Sequence, residues 1–356
     1  MKVVLLAPTP PPVGGIAGWT VRMLKASLKN GWEVAVVDEK ILGKRDMFDG
    51  RTRHNWLLEV KRCWNIWRDL NRALRDKEAT VVHSCIPANT LPMLRELVCA
   101  CITKLHRRKF IVHFRCTVPN LCKGRVANFV LKRLCNISDT VMSLNTQTSN
   151  YLAQITKTPI VLIPNFVNDG EIAESHPIRQ TLKTVVYVGG LVETKGAKEI
   201  IKLAQENPDI EFRCVGTSDG AVVEYARSHN IQNLTVVGTK DRAGVKEELQ
   251  NADAFLFLTF FDGEGFSNAL TEAMAAGLPC VVTDWAANAD MIDEGEGGYV
   301  VPVRDARAAS EAVRKLASPE LREQFSQHNI RKVKSQYVEK AVVDQYVDAY
   351  EACLRM

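Results

Sequence analysis

NADAFLFLTFFDGEGFSNALTEAMAAGLPCVVT, running from Asn251 to Thr283, decides how this chain folds. Its first apolar run, Ala254 to Thr259, has the length and unbroken hydrophobicity of a strand buried on both faces. A loop carrying Asp262, Gly263, Glu264 and Gly265 follows, and the pattern predicts a helix opening near Ser267 or Asn268. Gly277-Leu278-Pro279 stops that helix, and Cys280 to Thr283 reads as the next buried strand. In a parallel sheet built from such strand-helix-strand units, ligands collect outside the carboxyl ends of the strands, where the first N–H groups of the helix also point. Glu264 on the loop and Glu272 early in the helix flank that place, which suits a phosphate with carboxylates beside it to accept from hydroxyls.

The same alternation extends outward in both directions. Val185 to Val188, Glu211 to Val215, Leu234 to Val237 and Gly298 to Pro302 read as strands of the same half, separated by helical patterns. Upstream, Lys2 to Ala7, Glu33 to Val37, Thr80 to His83, Phe110 to Phe114, Val141 to Asn145 and Val161 to Ile163 repeat the theme. The polar stretch from Asn168 to Thr181 has no clear periodicity and reads as a linker. The expected organisation is α/β, with one domain over residues 1–168, a second over 182–335, and a terminal helix over 336–356 that packs back toward the first.

A chain of 356 residues with 46% hydrophobic and 24% charged content is a folded protein too long for one comfortable core. No apolar run reaches the roughly 18 to 20 residues that a membrane span needs, and Met1 to Ala7 reads as a short strand entering a turn, without the charged-then-apolar pattern expected of a signal peptide. The ten cysteines are scattered without a C-x-x-C pair, so they read as reduced thiols, with neither a disulfide framework nor a metal site expected. The net charge of +5 hides an asymmetry: residues 1–165 hold 26 Lys+Arg against 11 Asp+Glu, and the remainder 20 against 30. A basic half suits an anionic surface or substrate, or attraction between the halves. Its densest part, Asp46 to Lys77, sets Trp56, Val60, Trp64, Trp67 and Leu74 at helical spacing among Arg53, Lys61, Arg62, Arg68, Arg72 and Arg75. That helix either packs its apolar stripe on a sheet or lies on a membrane interface.

Three further places carry candidate chemistry. After Lys2 to Ala7 comes PTPPPVGG, whose Gly14-Gly15 either forms a tight turn or lets backbone approach a ligand; the G-x-G-x-x-G spacing of a dinucleotide site is absent. His113 lies near the carboxyl end of its strand, and that position is its only claim over a structural histidine. Lys195 sits after the strand Val185 to Val188 and before the helix Ala197 to Glu206, where an ammonium added to a helix N-terminus suits a diphosphate; a solvated surface lysine is the plain alternative.

EGFSNALTE (Glu264 to Glu272), with its E-x7-E spacing, and the AMAAGLPCVVTD that follows it resemble the retaining glycosyltransferases of family 4, of the bacterial surface-polysaccharide type. PPPVGGIAG, VVHS, VHFR, LIPNFV and YVGGLVETKG support the resemblance in the expected order across both domains. It implies the GT-B fold, two Rossmann-like domains whose parallel sheets face each other across a cleft, the first binding acceptor and the second nucleotide-sugar. It implies that Glu272 holds the ribose, Glu264 the hydroxyls of the donor sugar, and Lys195 the diphosphate. Phe266, Ser267 and Asn268 would present backbone N–H groups, the Gly14-Gly15 loop would close over the donor phosphates, and His113 would approach the donor sugar. Gly190 belongs to the same donor-binding set but departs from the pattern, since the family commonly has arginine there; Arg115, Arg242 or a backbone nest could compensate.

Breaking an anomeric bond leaves negative charge on the diphosphate, and stabilising it is the main electrostatic task. The sequence has no Asp-x-Asp, so Lys195 and the helix near Asn268 are the expected means, with no metal and no cofactor beyond the nucleotide-sugar (UDP- or GDP-sugar). The resemblance implies same-face attack and transfer to a saccharide or lipid-linked acceptor in lipopolysaccharide, capsule or exopolysaccharide synthesis. Expected partners are that donor and acceptor and an anionic membrane surface met through the basic amino-terminal domain, with no nucleic acid. The expected location is the cytoplasm, peripherally on the inner face of the cell membrane. A nucleotide-sugar 2-epimerase of the same layout, or a non-catalytic sugar-nucleotide-binding protein, are the competing readings.

Overall fold

Alternate residues of β1 (Lys2–Ala7), β2 (Glu33–Asp38), β3 (Ala79–Ile86), β4 (Lys109–Phe114), β5 (Thr140–Ser143) and β6 (Ile160–Leu162) point to opposite faces of one parallel sheet, ordered β2-β1-β3-β4-β5-β6. This sheet organises a unit made of Met1–Pro164 and Lys340–Met356; a second unit holds Asn165–Glu339. The computed structural model describes residues 1–11, 14–26, 32–42, 56–218 and 220–356. The helices of the first unit are α1 (Gly15–Lys25), α2 (Trp56–Ala73), α3 (Thr90–Leu105), α4 (Val118–Leu121), α5 (Arg125–Ile137) and α6 (Thr146–Ala153). On one face of its sheet Val4, Leu6, Val82, Phe110 and Val112 share a core with Ile66 and Leu70 of α2, Met93 of α3 and Leu131 of α5. On the other, His83 and His113 meet Trp19 of α1 and Tyr346 of the carboxy-terminal segment.

Several local expectations shift. The first helix starts at Gly15 rather than Trp19, because Gly14, in extended conformation, takes the N-cap position. Pro12 and Val13 of the glycine loop, the helix stop at Asn30-Gly31 and the Asp46-to-Asn55 run with Arg53 lie outside the described residues. Asn145 leaves its strand because its side chain accepts from the Thr148 N–H and caps α6. The expected stripe is split: Leu74 is buried and Trp67 packs half-buried against the core beside Ile66 and Leu70 of α2, whereas Trp56, Val60 and Trp64 are exposed.

In the second unit β7 (Thr184–Val188), β8 (Glu211–Val215), β9 (Leu234–Gly238), β10 (Ala254–Phe257), β11 (Cys280–Thr283) and β12 (Gly298–Val301) form a parallel sheet ordered β12-β11-β10-β7-β8-β9. Its helices are α7 (Ala197–Glu206), α8 (Ala221–Ser228), α9 (Arg242–Asn251), α10 (Asn268–Ala275), α11 (Asn288–Met291), α12 (Ala306–Lys315) and α13 (Pro319–Lys332). α14 (Glu339–Arg355) follows, and from Lys340 it belongs to the first unit. The residues from Asn168 to Thr181 are no loose linker. The buried His176 ring bonds the carbonyls of Ala276 and Ala252, each at 2.9 Å, and Arg179 pairs with Asp253 at 2.8 Å. These bonds satisfy buried polar groups that propensity alone would leave in solvent.

Each sheet winds outward in both directions from its centre, so each has a switch point where consecutive crossovers part: between β1 and β3 in the first, between β7 and β10 in the second. Two Rossmann-like units of this kind in one chain make the GT-B fold.

Candidate functional site

The switch point of the second sheet fixes which loops meet. The chain leaves β7 through Gly189-Gly190, turns through a short 3-10 helix (Glu193–Lys195) and enters α7. It leaves β10 into the loop that bears Glu264. The Phe260 N–H donates to the Thr194 carbonyl at 2.8 Å, tying the two loops backbone to backbone. Gly196, with φ of +87°, makes this approach possible: a Cβ there would stand 2.5 Å from the Leu258 carbonyl oxygen. That crossing also ends β10 at Phe257, two residues before the expected Thr259.

At this crossing Lys195 Nζ donates to Glu264 Oε2, and the ammonium lies 4.8 Å from the centre of the Phe261 ring. Thr259 Oγ1 donates to the same carboxylate oxygen at 3.3 Å. Lys195 is therefore no freely solvated surface lysine; it and Glu264, 69 positions apart, form one ion pair with both side chains largely shielded from water.

Beyond Glu264 the chain enters α10. Ser267 is its N-cap, its hydroxyl accepting from the Leu270 N–H at 3.2 Å, which leaves the first N–H groups of the helix to point along its axis. Phe266 is buried with its ring edge-on to Tyr337, centroids 5.2 Å apart, so only its backbone can serve a ligand. Asn268 opens α10, and Glu272 lies one turn on, half-buried. Asn165 had no assigned role in the sequence, yet its Nδ2 donates to the Phe266 carbonyl at 2.8 Å and to Asn268 Oδ1 at 3.0 Å. Only its place in LIPNFV could have flagged it. Gly190 accepts from the Tyr187 hydroxyl at 2.9 Å, and a Cβ there would meet Thr217 Oγ1 at 3.3 Å. Of the residues named to replace a missing arginine, Arg242 starts α9 beyond the edge strand β9 and pairs with Glu171 at 3.5 Å.

In the first unit Gly14 and Gly15 are exposed, with no atom within 4 Å of a Cβ built on either, so the opening of α1 is unobstructed. His113 lies near the carboxyl end of β4, as its position in the sequence suggests. It is fully buried, its Nδ1 3.1 Å from His83 Nε2 and its Nε2 3.4 Å from Arg115 Nη1. His83 in turn meets the Tyr350 hydroxyl at 2.8 Å through Nδ1, and Arg115 stacks on Trp19 at 4.4 Å. Burial first, then the Arg115 cation and His83, hold His113 well below the usual histidine range, and burial with Arg115 brings His83 to about 3. Both rings are neutral near pH 7. Cys85 joins these two histidines, its Sγ 3.5 Å from His83 Nε2, a three-residue grouping that the sequence left dispersed.

Residues 168–332 match the family described as glycosyl transferases group 1. Over 200 residues the chain is 28% identical to the phosphatidyl-myo-inositol mannosyltransferase of Mycobacterium leprae, covering 54% of this chain and 53% of that protein. It is 26% identical to the capsular polysaccharide biosynthesis glycosyltransferase CapM of Staphylococcus aureus, covering 48% and 46%. The chain thus spans about half the length of the curated relatives it matches. The crystal structure of Anabaena HepE in complex with UDP-glucose superposes with a TM-score of 0.73 at 13% identity, covering 99% of this chain and 100% of that one.

Proposed function

We propose, from the match of residues 168–332 to the family of glycosyl transferases group 1, that the chain is a retaining, metal-independent family 4 glycosyltransferase. It moves a sugar from a UDP- or GDP-sugar to a saccharide or lipid-linked acceptor in building a cell-surface polysaccharide. The observation that carries the reading is the Lys195–Glu264 pair at the β7/β10 switch point, beside the opening of α10. A diphosphate entering there presents more negative charge to Lys195 than one carboxylate does, so Lys195 turns to the donor and Glu264 is released toward the sugar hydroxyls. Glu272, a turn further along α10, takes the ribose. The relatives' names, a mannosyltransferase and a capsule glycosyltransferase, support a surface-glycan product, and the UDP-glucose complex of HepE supports a nucleotide-sugar donor.

In the reaction the bond from the anomeric carbon to the diphosphate oxygen breaks and a bond from that carbon to the acceptor oxygen forms on the same face. The acceptor proton passes to an oxygen of the departing diphosphate. Lys195 and the N–H groups of α10 balance the charge that develops on the leaving group, and loss of one such donor costs on the order of 10² to 10³ in rate. A thermal-shift screen with nucleotides and nucleotide-sugars tests the donor site directly, because a bound donor raises the melting temperature by mass action. The expected result is a shift with a UDP- or GDP-sugar that Lys195→Ala abolishes without unfolding the protein, and a fall of about 10² in transfer for Lys195→Ala and Glu264→Ala. Unchanged transfer in either variant would overturn the site, and release of an epimerised free nucleotide-sugar would overturn the reaction.

A further inference from the structure

The loop after β11 fastens both ends of the turn that carries Glu264. Thr283 Oγ1 donates to the Thr259 carbonyl at 2.6 Å, the Trp285 indole Nε1–H to the Phe261 carbonyl at 2.9 Å, and the Ala287 N–H to the Gly265 carbonyl at 3.1 Å. Three alternate residues thus bond the neighbouring loop before and after Glu264. The Phe261 carbonyl also accepts from the Glu264 N–H at 3.0 Å, which closes a four-residue turn over Asp262 and Gly263. That turn is tight. A Cβ built on Gly263 would stand 2.5 Å from the Phe261 ring, the same ring that lies 4.8 Å from the Lys195 ammonium. Of the three fastenings, Thr283 is buried and Ala287 uses only its backbone, so the half-buried Trp285 is the one whose side chain reaches the turn from the surface. The next residue, Ala286, holds φ of +57°, a left-handed conformation that non-glycine residues rarely adopt and that collects at functional loops.

We propose that Trp285 is a positioning residue for the donor sugar: through the Phe261 carbonyl it fixes the turn that aims Glu264. The role rests on the donor reading above and adds a residue to it. Without donor, the Glu264 carboxylate is held by Lys195 and Thr259 as well as by its turn. Once Lys195 turns to a diphosphate that ion pair is gone, and the aim of Glu264 depends on Thr259 and on the turn alone. The Phe261 carbonyl is then the point through which the third loop of the switch point bears on the carboxylate. Tryptophan suits this task. Its indole is a rigid plane with a single donor at its edge and no acceptor, so packing of the ring settles where the N–H points. A carbonyl oxygen has two lone pairs, so the Phe261 oxygen accepts from Glu264 and Trp285 together. The diphosphate meets Lys195 and the opening of α10 instead, so loss of the Trp285 bond falls on recognition of the sugar and spares recognition of the diphosphate.

Trp285→Phe keeps an aromatic ring and removes the donor. Isothermal titration with UDP or GDP, and with the UDP- or GDP-sugar that the thermal-shift screen selects, separates the two halves of the ligand. Affinity for the nucleotide-sugar is expected to fall about fivefold, the worth of one neutral hydrogen bond, while affinity for the matching nucleoside diphosphate stays within about twofold. In a Glu264→Ala background the same substitution should cost no further affinity, because the bond acts through that carboxylate. Hydrogen exchange of the protein without ligand adds a second readout: the Glu264 amide, which donates to the same carbonyl, should exchange about tenfold faster in Trp285→Phe. An unchanged melting temperature checks that the variant folds. If the parent binds neither UDP nor GDP nor any of their sugars, the donor reading fails and this role fails with it. If the parent binds a nucleotide-sugar, the proposal alone is overturned by any of four results: equal binding by Trp285→Phe, equal losses for sugar and diphosphate, the full loss repeated in the Glu264→Ala background, or unchanged exchange at Glu264.

Discussion

Gly196→Ala separates the two demands that the β7/β10 crossing makes on this residue. The first is conformational: φ of +87° is left-handed, which costs an L-residue about 1–2 kcal/mol. The second is steric: the new Cβ would lie 2.5 Å from the Leu258 carbonyl oxygen and 2.6 Å from the Leu258 Cβ. Ordinary contact begins near 3.4 Å, so the loops after β7 and β10 must part by close to 1 Å, at an overpacking cost of about 1–3 kcal/mol. Gly238 is the control. Its φ of +85° is nearly the same, but no atom lies within 4 Å of its built Cβ, so Gly238→Ala carries the conformational cost alone. At roughly 2–4 °C per kcal/mol for a domain of this size, Gly196→Ala should melt at least about 2 °C, and up to about 12 °C, below Gly238→Ala. Because the displaced loops carry Lys195 and Glu264, Gly196→Ala should also lose about 10² in transfer at temperatures where it remains folded, while Gly238→Ala transfers like the parent. Scanning calorimetry and a nucleotide-sugar transfer assay on the two variants decide the matter. Equal melting temperatures and equal activities would refute the crossing as the element that sets the site.

Asn165→Ala removes the donor to the Phe266 carbonyl and Asn268, leaving a buried acceptor unsatisfied; a loss of about 1–3 kcal/mol in urea denaturation is expected, with a smaller nucleotide-sugar thermal shift. Asn165→Asp should bind donor more weakly still, since it cannot donate and sets a carboxylate beside the start of α10. The buried His83–His113 pair should make stability fall with acid. Both rings titrate lower in the folded protein than in the unfolded chain, near 6.5, so the unfolded state binds the extra protons and the stability held above that pH is lost as pH drops. With His83 at about 3, its ring alone contributes about 2 kcal/mol of loss at pH 5 relative to neutral pH. The groups facing the pair, Arg115, Tyr346, Tyr350 and Cys85, supply no carboxylate that would reverse the sign. Ring proton resonances of His83 and His113 that hold steady between pH 7 and 5 would agree with this, and a midpoint near 6.5 would contradict it.

Much of this was legible in the chain itself. The apolar runs and their glycine, proline and asparagine boundaries located the twelve strands among the described residues to within a few residues, because a strand buried on both faces must be apolar throughout and must stop where the backbone turns. Ser267 and Asn268 announced the start of α10 through ordinary capping chemistry. The errors fell where tertiary bonds override local pattern. Asn168 to Thr181 looks like solvent-exposed linker until His176 and Arg179 find Ala252, Ala276 and Asp253. The place of His113 near the end of its strand was legible, whereas the engagement of its two nitrogens by His83 and Arg115, residues 30 and 2 positions away, was not.

The sequence by itself determined the class of fold, the order of its elements and the residue types near the carboxyl ends of the strands, since periodicity and turn chemistry are local properties that each segment carries with it. Only the tertiary structure decided which of those residues meet. Lys195 and Glu264 are 69 positions apart and come together because the sheet order sets β7 against β10. The bond from Trp285 carries no local mark either. A tryptophan after a strand reads alike as core or surface, and its indole N–H finds the Phe261 carbonyl, 24 positions back, because β11 lies beside β10.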